Sequence, residues 1–310
     1  MKVLSYILLF LCCGLCEVAQ AQSIGSAFRV GLNFPQFLGD SEKGANGEDL
    51  EEFSTFTGFH VAGGVVFKLL DHYGFKAEIM FTQKGSRYRY NGPSTYIFTT
   101  TTGSSYATAI GTRVISNRIT NSYISLPVTG YMKYGKFELN AGASISFLVS
   151  STGVGDFEFS GISALDNGDV LIQSLIDHNY RKDNLESTPE LLSFQENFVK
   201  TITVDGQDFL LLNDETAYAQ FTDIDGGVYG KLENRLTEKY YRSLDVALHA
   251  GVSYYISPGL YFGFTAEYGL RDVSNPYFEY SYSESTELER VERSDTDRNF
   301  LLMFSVGFSF

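Results

Sequence analysis

From Asn299 to Phe310 the chain alternates without interruption. Phe300, Leu302, Phe304, Val306, Phe308 and Phe310 share one parity; Leu301, Met303, Ser305, Gly307 and Ser309 share the other. Successive side chains of a strand point to opposite faces, so this stretch reads as a β-strand with one face in an apolar medium and the other among small or polar groups. A soluble fold must bury such a face under a second layer, whereas a transmembrane barrel leaves it in lipid. The sequence ends on the aromatic Phe310, with no tail to cover that face.

Seven earlier stretches carry the same period. Ser23 to Phe34 sets Phe28, Val30, Leu32 and Phe34 against Arg29, Gly31 and Asn33. Thr57 to Leu69 sets Phe59, Val61, Val65, Phe67 and Leu69 against His60, Ala62, Gly64 and Lys68. After a turn at Leu70-Asp71-His72-Tyr73, Phe75, Ala77, Ile79 and Phe81 oppose Lys76, Glu78, Thr82 and Lys84. Tyr123 to Tyr134 alternates less cleanly, because Pro127 cannot donate a ladder hydrogen bond. Past a tight turn at Gly135, Phe137, Leu139, Ala141, Ala143, Ile145, Phe147 and Val149 oppose Glu138, Asn140, Gly142, Ser144, Ser146 and Ser150. Leu244 to Ser257 and, beyond Ser257-Pro258-Gly259, Leu260 to Arg271 complete the set. Their polar faces carry Asp245 and His249, then Tyr261, Glu267 and Arg271.

The connections are as informative as the strands. Every second link is a few residues long, and the others run about 22, 37, 88 and 24 residues. Short turns at one end and long loops at the other describe an outer-membrane barrel with periplasmic turns and extracellular loops. A lipocalin-like soluble barrel also alternates, but turns its polar face to water. Here one face is bulky and nearly uncharged, as lipid requires, and the other is rich in Gly and Ser with charges of both signs, as a narrow interior requires. The expected fold is therefore all-β: an eight-stranded antiparallel up-and-down transmembrane β-barrel with long extracellular loops. Tyr73, Tyr134, Phe137, Tyr254 and Tyr261 at one end, with Tyr123 and Tyr268 at the other, fit interfacial aromatic girdles, although Tyr and Phe are also simply good strand formers.

Met1 to Ala21 reads as a secretory signal, with one positive charge at Lys2, an uncharged run from Val3 to Leu15 and a small-x-small site at Ala19-Gln20-Ala21. Leu15 before Cys16 argues against lipidation. All three cysteines (Cys12, Cys13, Cys16) fall within the signal, so no disulfide or thiolate metal site is expected in residues 22–310, which form the barrel domain. A net charge of -14 argues against nucleic acid, whose phosphates need clustered Lys and Arg.

Tyr123 to Tyr134 (YISLPVTGYMKY) followed by Lys136 to Gly142 (KFELNAG) resembles the central hairpin of the PorT-type outer-membrane β-barrels of Bacteroidetes. Phe75 to Gly85, ending FTQKG, is similar to that family's third strand, and Tyr268 to Val273 (YGLRDV) to its seventh. The resemblance implies an outer-membrane location, surrounding lipid as a partner, and insertion by the barrel-assembly machinery, for which Phe310 is a terminal signal. It also raises an accessory role in a type IX-like secretion assembly. The insertion between Ser151 and Tyr240 departs from the compact family pattern.

An eight-stranded barrel is just wide enough for side chains to fill. Arg29, Lys76, Glu78, Glu138 and Glu267 are expected to form a structural charge network in the lumen, because buried charge persists only when paired. Function is then expected in the loops. The largest, residues 153–240, carries 17 Asp and Glu against 6 Lys and Arg, while 86–122 carries Arg87, Arg89, Arg113 and Arg118 and no acid. That basic loop could dock on the acidic ones, meet lipid phosphates, or merely be solvated. Within the large loop, Thr188-Pro189-Glu190 is a helix start, and Thr201 to Val204 with Phe209 to Leu212 is a hairpin around Asp205-Gly206. Asp223-Ile-Asp225-Gly-Gly227 falls short of a calcium loop. His60 and His249 share the inward face, yet no motif places a serine and an acid beside either. No catalytic, cofactor-binding or metal residue is therefore singled out, and no enzyme activity or cofactor is expected. The remaining reading is a structural or binding barrel whose loops meet an envelope protein or ligand; a secretion accessory, or an enzyme acting on lipid or peptide, are the alternatives.

Overall fold

The computed structural model describes residues 23–100, 106–163, 169–181, 201–204, 207–210, 239–276, 279–286 and 291–310. Among the described residues, twelve strands follow in chain order: β1 (Ser23–Leu38), β2 (Glu51–Ser54), β3 (Gly58–Lys68), β4 (Tyr73–Thr100), β5 (Tyr106–Tyr134), β6 (Phe137–Ser163), β7 (Asp169–Asn179), β8 (Thr201–Val204), β9 (Gln207–Leu210), β10 (Leu244–Tyr255), β11 (Leu260–Gly269) and β12 (Arg298–Ser309). Eight of them close a ring in the order β3-β1-β12-β11-β10-β6-β5-β4, with β4 pairing back onto β3. All these pairings are antiparallel. The eight alternating stretches of the sequence are these eight staves. Gly135 and Gly259 take φ of 61° and 105° in two of the short turns, a backbone state that side chains disfavour.

The apolar parity faces outward. Phe28, Ile79 and Leu139 are 51%, 64% and 54% exposed, while Lys84 and Glu138 on the opposite parity are fully buried. That arrangement excludes the soluble-barrel alternative, which would reverse it. The lumen contains the polar groups, and lipid is the medium in which the outer face is stable. Tyr73, Tyr134, Phe137 and Tyr254 are exposed near the short turns, as a girdle requires, and Tyr268 is exposed at the other end. Tyr123 and Tyr261 do not belong to a girdle: both are buried inside, because they share parity with Ser125 and Gly263 rather than with the lipid-facing residues. Pro127 leaves a gap in the β4–β5 ladder between Ala77–Val128 and Met80–Ser125, while β6 still pairs with it through Ser144.

Three staves continue far past the ring. β4, β5 and β6 run for 28, 29 and 27 residues, against the roughly 9–11 that a tilted strand needs to cross a bilayer. Residues 86–100 and 106–122 are thus not loop but the paired upper parts of β4 and β5, and 153–163 and 169–179 are paired strands of β6 and β7. Thr and Tyr, which favour strands, fill these segments together with Ser and Asn, so they lack the apolar alternation that marks a strand in lipid, yet still pair. Val149 is an extra residue between Tyr123–Leu148 and Ser122–Ser150. This bulge lies beside Leu244, where β10 begins, so β6 is bent where it leaves the ring. β8 and β9 form the expected hairpin with the second strand two residues earlier, and β9 pairs with the end of β4. The helix start at Thr188, the acidic pair Asp223 and Asp225, Asp205-Gly206 and the signal stretch lie outside the described residues.

Candidate functional site

The lumen is built in layers of paired charge. Near the short turns, Lys76 donates to Glu138 at 2.5 Å, and Tyr255 Oη donates to the other Glu138 oxygen at 2.8 Å. Above them Arg29 grips Glu78 through Nε (3.1 Å) and Nη2 (2.9 Å), the two-pronged geometry that guanidinium and carboxylate favour. Glu267 takes a different partner: Lys84 Nζ lies 2.6 Å from it and 3.0 Å from Asp245. The five lumen charges expected from the sequence all lie inside, in three separate clusters, and the third is centred on Lys84. The cavity among Arg29, Glu78, Thr129, His249, Tyr261 and Ser305 holds about 30 Å³ of water-accessible space, room for one or two waters.

Both inward histidines are hydrogen-bonded, His60 at both ring nitrogens and His249 at one. His249 Nε2 meets Thr129 Oγ1 at 2.8 Å. His60 Nδ1 lies 2.6 Å from Asn33 Oδ1, and His60 Nε2 lies 2.9 Å from Ser305 Oγ. Asn33 Nδ2 donates to the carbonyls of Phe59 and Gln83 and to Thr82, so its Oδ1 is the acceptor. His60 therefore carries its proton on Nδ1, and Ser305 donates to Nε2. Gly31 makes the room: a Cβ there would stand 2.7 Å from His60 Cε1. The order Ser–His–Asn resembles a hydrolytic triad, with Asn33 where serine hydrolases carry an acid. The serine opens onto the cavity lined by Arg29 and Glu78, whose water-accessible space of about 30 Å³ suits water and not an acyl chain.

At the end away from the short turns the ring is capped by aromatics. Phe37, Ile119, Tyr123, Leu148, Tyr180, Tyr241 and Val273 form one buried cluster. A second, with Leu50, Tyr90, Tyr96, Ile115, Phe157 and Phe159, lines the inner face of the β4–β6 extension. Arg113 is buried in it, its guanidinium 4.4 Å from the Tyr282 ring centre. The segment joining β11 to β12 folds over this cap. Glu42 accepts from the Ser283 amide at 2.8 Å and from Ser281 Oγ at 2.6 Å, and Arg293 binds Glu51 at 2.6 Å. Asp272, Glu279, Asp295 and Asp297 crowd beside them. Burial, with Asp295 and Asp272 adding to it, pushes the Glu279 carboxyl up to about 7. Burial and then Asp295 and Glu279 push Asp297 up to about 8. Among the described residues, no group of three or more His, Cys, Asp or Glu is placed to hold a metal ion.

A closed antiparallel ring, apolar outside and charged within, is the architecture that the family comparison names. Residues 19–275 match the model of the outer membrane protein beta-barrel domain. The chain belongs to that family. Among solved structures it is similar to Neisserial surface protein A (10% identity, 94% of this chain and 100% of the other, TM-score 0.34). It is likewise similar to the attachment invasion locus protein Ail of Yersinia pestis (9%, 92% and 98%, 0.32) and to OprG of Pseudomonas aeruginosa (10%, 93% and 97%, 0.36). No curated protein sequence matches it.

In this outer-membrane barrel the four arginines of 86–122 do not act together. Arg113 points inward, whereas Arg87, Arg89 and Arg118 are exposed on the outer face of the extension. Arg87 and Arg118 are directly opposed across β4 and β5. Lys84, Asp245 and Ser305 are the lumen residues that reasoning from sequence did not single out. Their parity was legible, but their partners lie on staves far away in the chain.

Proposed function

We propose that this barrel works as a surface-displayed binding protein, whose projecting β4–β7 sheet presents a rigid platform to an envelope or extracellular partner, and not as a diffusion channel. The observation carrying this reading is the continuation of three staves beyond the ring over a packed aromatic face. Such a face fixes the sheet, so the partner would meet a preformed surface and little ordering entropy would be lost. The filled lumen supports the second half of the reading. The long-connection side faces the exterior in this proposal, residues 1–21 act as the export signal, and the PorT-like hairpin at Tyr123 to Gly142 supports placement on that branch.

The test uses photoreactive residues at exposed positions Asn91, Thr112 and Ser160 in cells producing the full chain. A discrete crosslinked partner, lost when Phe159→Ala loosens the platform, is the expected result. A tag near Asn167 should be accessible on intact cells, and the purified protein should show no steady conductance in planar bilayers. No adduct at any position, or ohmic conductance, would overturn the proposal.

A further inference from the structure

The outer face of β4, β5 and β6 changes character row by row away from the short turns. Phe81, Ile124 and Phe147 form the last apolar row. Gln83, Ser122 and Ser150 follow, then Gly85, Thr120 and Thr152. The next row is Ser54, Arg87, Arg118 and Val154. At ~3.3 Å per residue and a tilt of about 40°, this row stands about 15 Å beyond Phe81. An arginine stem can snorkel back across part of that distance toward the polar zone of the bilayer.

Two like charges directly opposed on one face of a sheet repel each other. Arg87 and Arg118 are both exposed and form no ion pair among the described residues. Two exposed acids on the outer face lie nearest: Glu52 opposes Arg89, and Asp156 opposes Ser116 diagonally from Arg118. Neither closes an ion pair with these arginines. An opposed arginine pair above an apolar band, with polar rows between, presents two guanidinium groups to one anion.

We propose that Arg87 and Arg118 form a clamp for a phosphate of the phosphorylated glycolipid in the leaflet around the barrel, with Arg89 at its edge. Guanidinium suits this role because its planar fork binds phosphate through two parallel hydrogen bonds. The clamp would fix a lipid against the β4–β5 hairpin and so anchor the root of the platform. It rests on the outward orientation proposed above.

The test is native mass spectrometry of the full-length barrel released from micelles containing lipid A or its dephosphorylated form, which has the same acyl chains. Wild type should retain the phosphorylated lipid. Arg87→Gln and Arg118→Gln should each weaken retention about fivefold, the effect of roughly 1 kcal/mol per basic residue at an anionic surface. Lys43→Gln, on the exposed turn between β1 and β2, should leave retention unchanged. Heat-modifiable migration identical to wild type would show that the variants still fold. Equal retention of both lipids, or of the phosphorylated one by all variants, would overturn the clamp. Failure of the Asn167 tag to reach the surface, with phosphate-selective retention intact, would overturn the orientation alone.

Discussion

Lys84 on β4 lies 3.0 Å from Asp245 on β10, across the lumen and 161 residues away in sequence, with neither group exposed to solvent. The pair ties two staves that are not neighbours in the ring, and Asn299 adds a third through its 2.9 Å hydrogen bond to the same carboxylate. Lys84→Met would leave Asp245 and Glu267 as buried, unpaired anions. Breaking one side of such a cluster costs about 3–5 kcal/mol. Urea titration of the folded band in detergent should show that loss. Adding Asp245→Asn should recover part of it, because the two residues share one network. Strictly additive losses would mean that the pair does not hold the staves together.

Ser305 and His60 invite a chemical test. If the pair is structural, a serine-reactive fluorophosphonate should leave the folded barrel unlabelled, and Ser305→Ala should cost about 1 kcal/mol, the net worth of one hydrogen bond. Labelling that disappears in Ser305→Ala but persists in Ser144→Ala would establish a reactive serine and reopen the hydrolase reading.

The staves were legible in the sequence because lipid on one side and a narrow lumen on the other impose a two-residue period on every strand. Where neither medium acts, the period fades: Tyr88 to Tyr96 is continuous strand, yet it alternates only between aromatic or small groups inside and Arg89, Asn91, Pro93 and Thr95 outside. Arg113 shows the consequence. By composition it belonged with Arg87 and Arg118, but on β5 it shares parity with the buried Tyr123 and Ser125 and not with Arg118, and so lies inside, under Tyr282. The lumen charges were readable by parity and their partners were not. Stave adjacency fixes neighbours, but Lys84 reaches across the ring, a distance no local pattern encodes. Tyr123 and Tyr261 were misassigned because their position near a strand end was weighed above their parity.

Glu42 joins two segments of the cap through its contacts to Ser281, Tyr282 and Ser283. Glu42→Ala should release the segment around residues 279–286 while the ring stays closed. Limited proteolysis is the measurement: cleavage there should speed up severalfold with the heat-modifiable core unchanged. Uniform sensitivity across the chain would show instead that cap and ring unfold together.

The carboxyl cluster over the cap predicts a pH response with a definite sign. Glu279 and Asp297 ordinarily titrate at 4.5 and 3.8, and in the folded chain at about 7 and 8. Between those limits the folded state binds protons that the unfolded segment does not, so stability falls as pH rises. The contribution is complete below about pH 4 and gone above about pH 8. Asp272, Asp295 and Glu51 face these groups, while Arg293, paired with Glu51 and Asp295, and Arg242, paired with Asp272, supply the positive charge. Amides of Val273 and Ser274, which bond to the Asp297 carbonyl and the Asp272 carboxylate, should lose hydrogen-exchange protection between about pH 4 and about pH 8 after correction for intrinsic rates. Asp297→Asn keeps the shape without the charge and should flatten that dependence. Protection that rises with pH, or an unchanged slope in the variant, would show that the cluster is ionised throughout and that its crowding is offset by the two arginines.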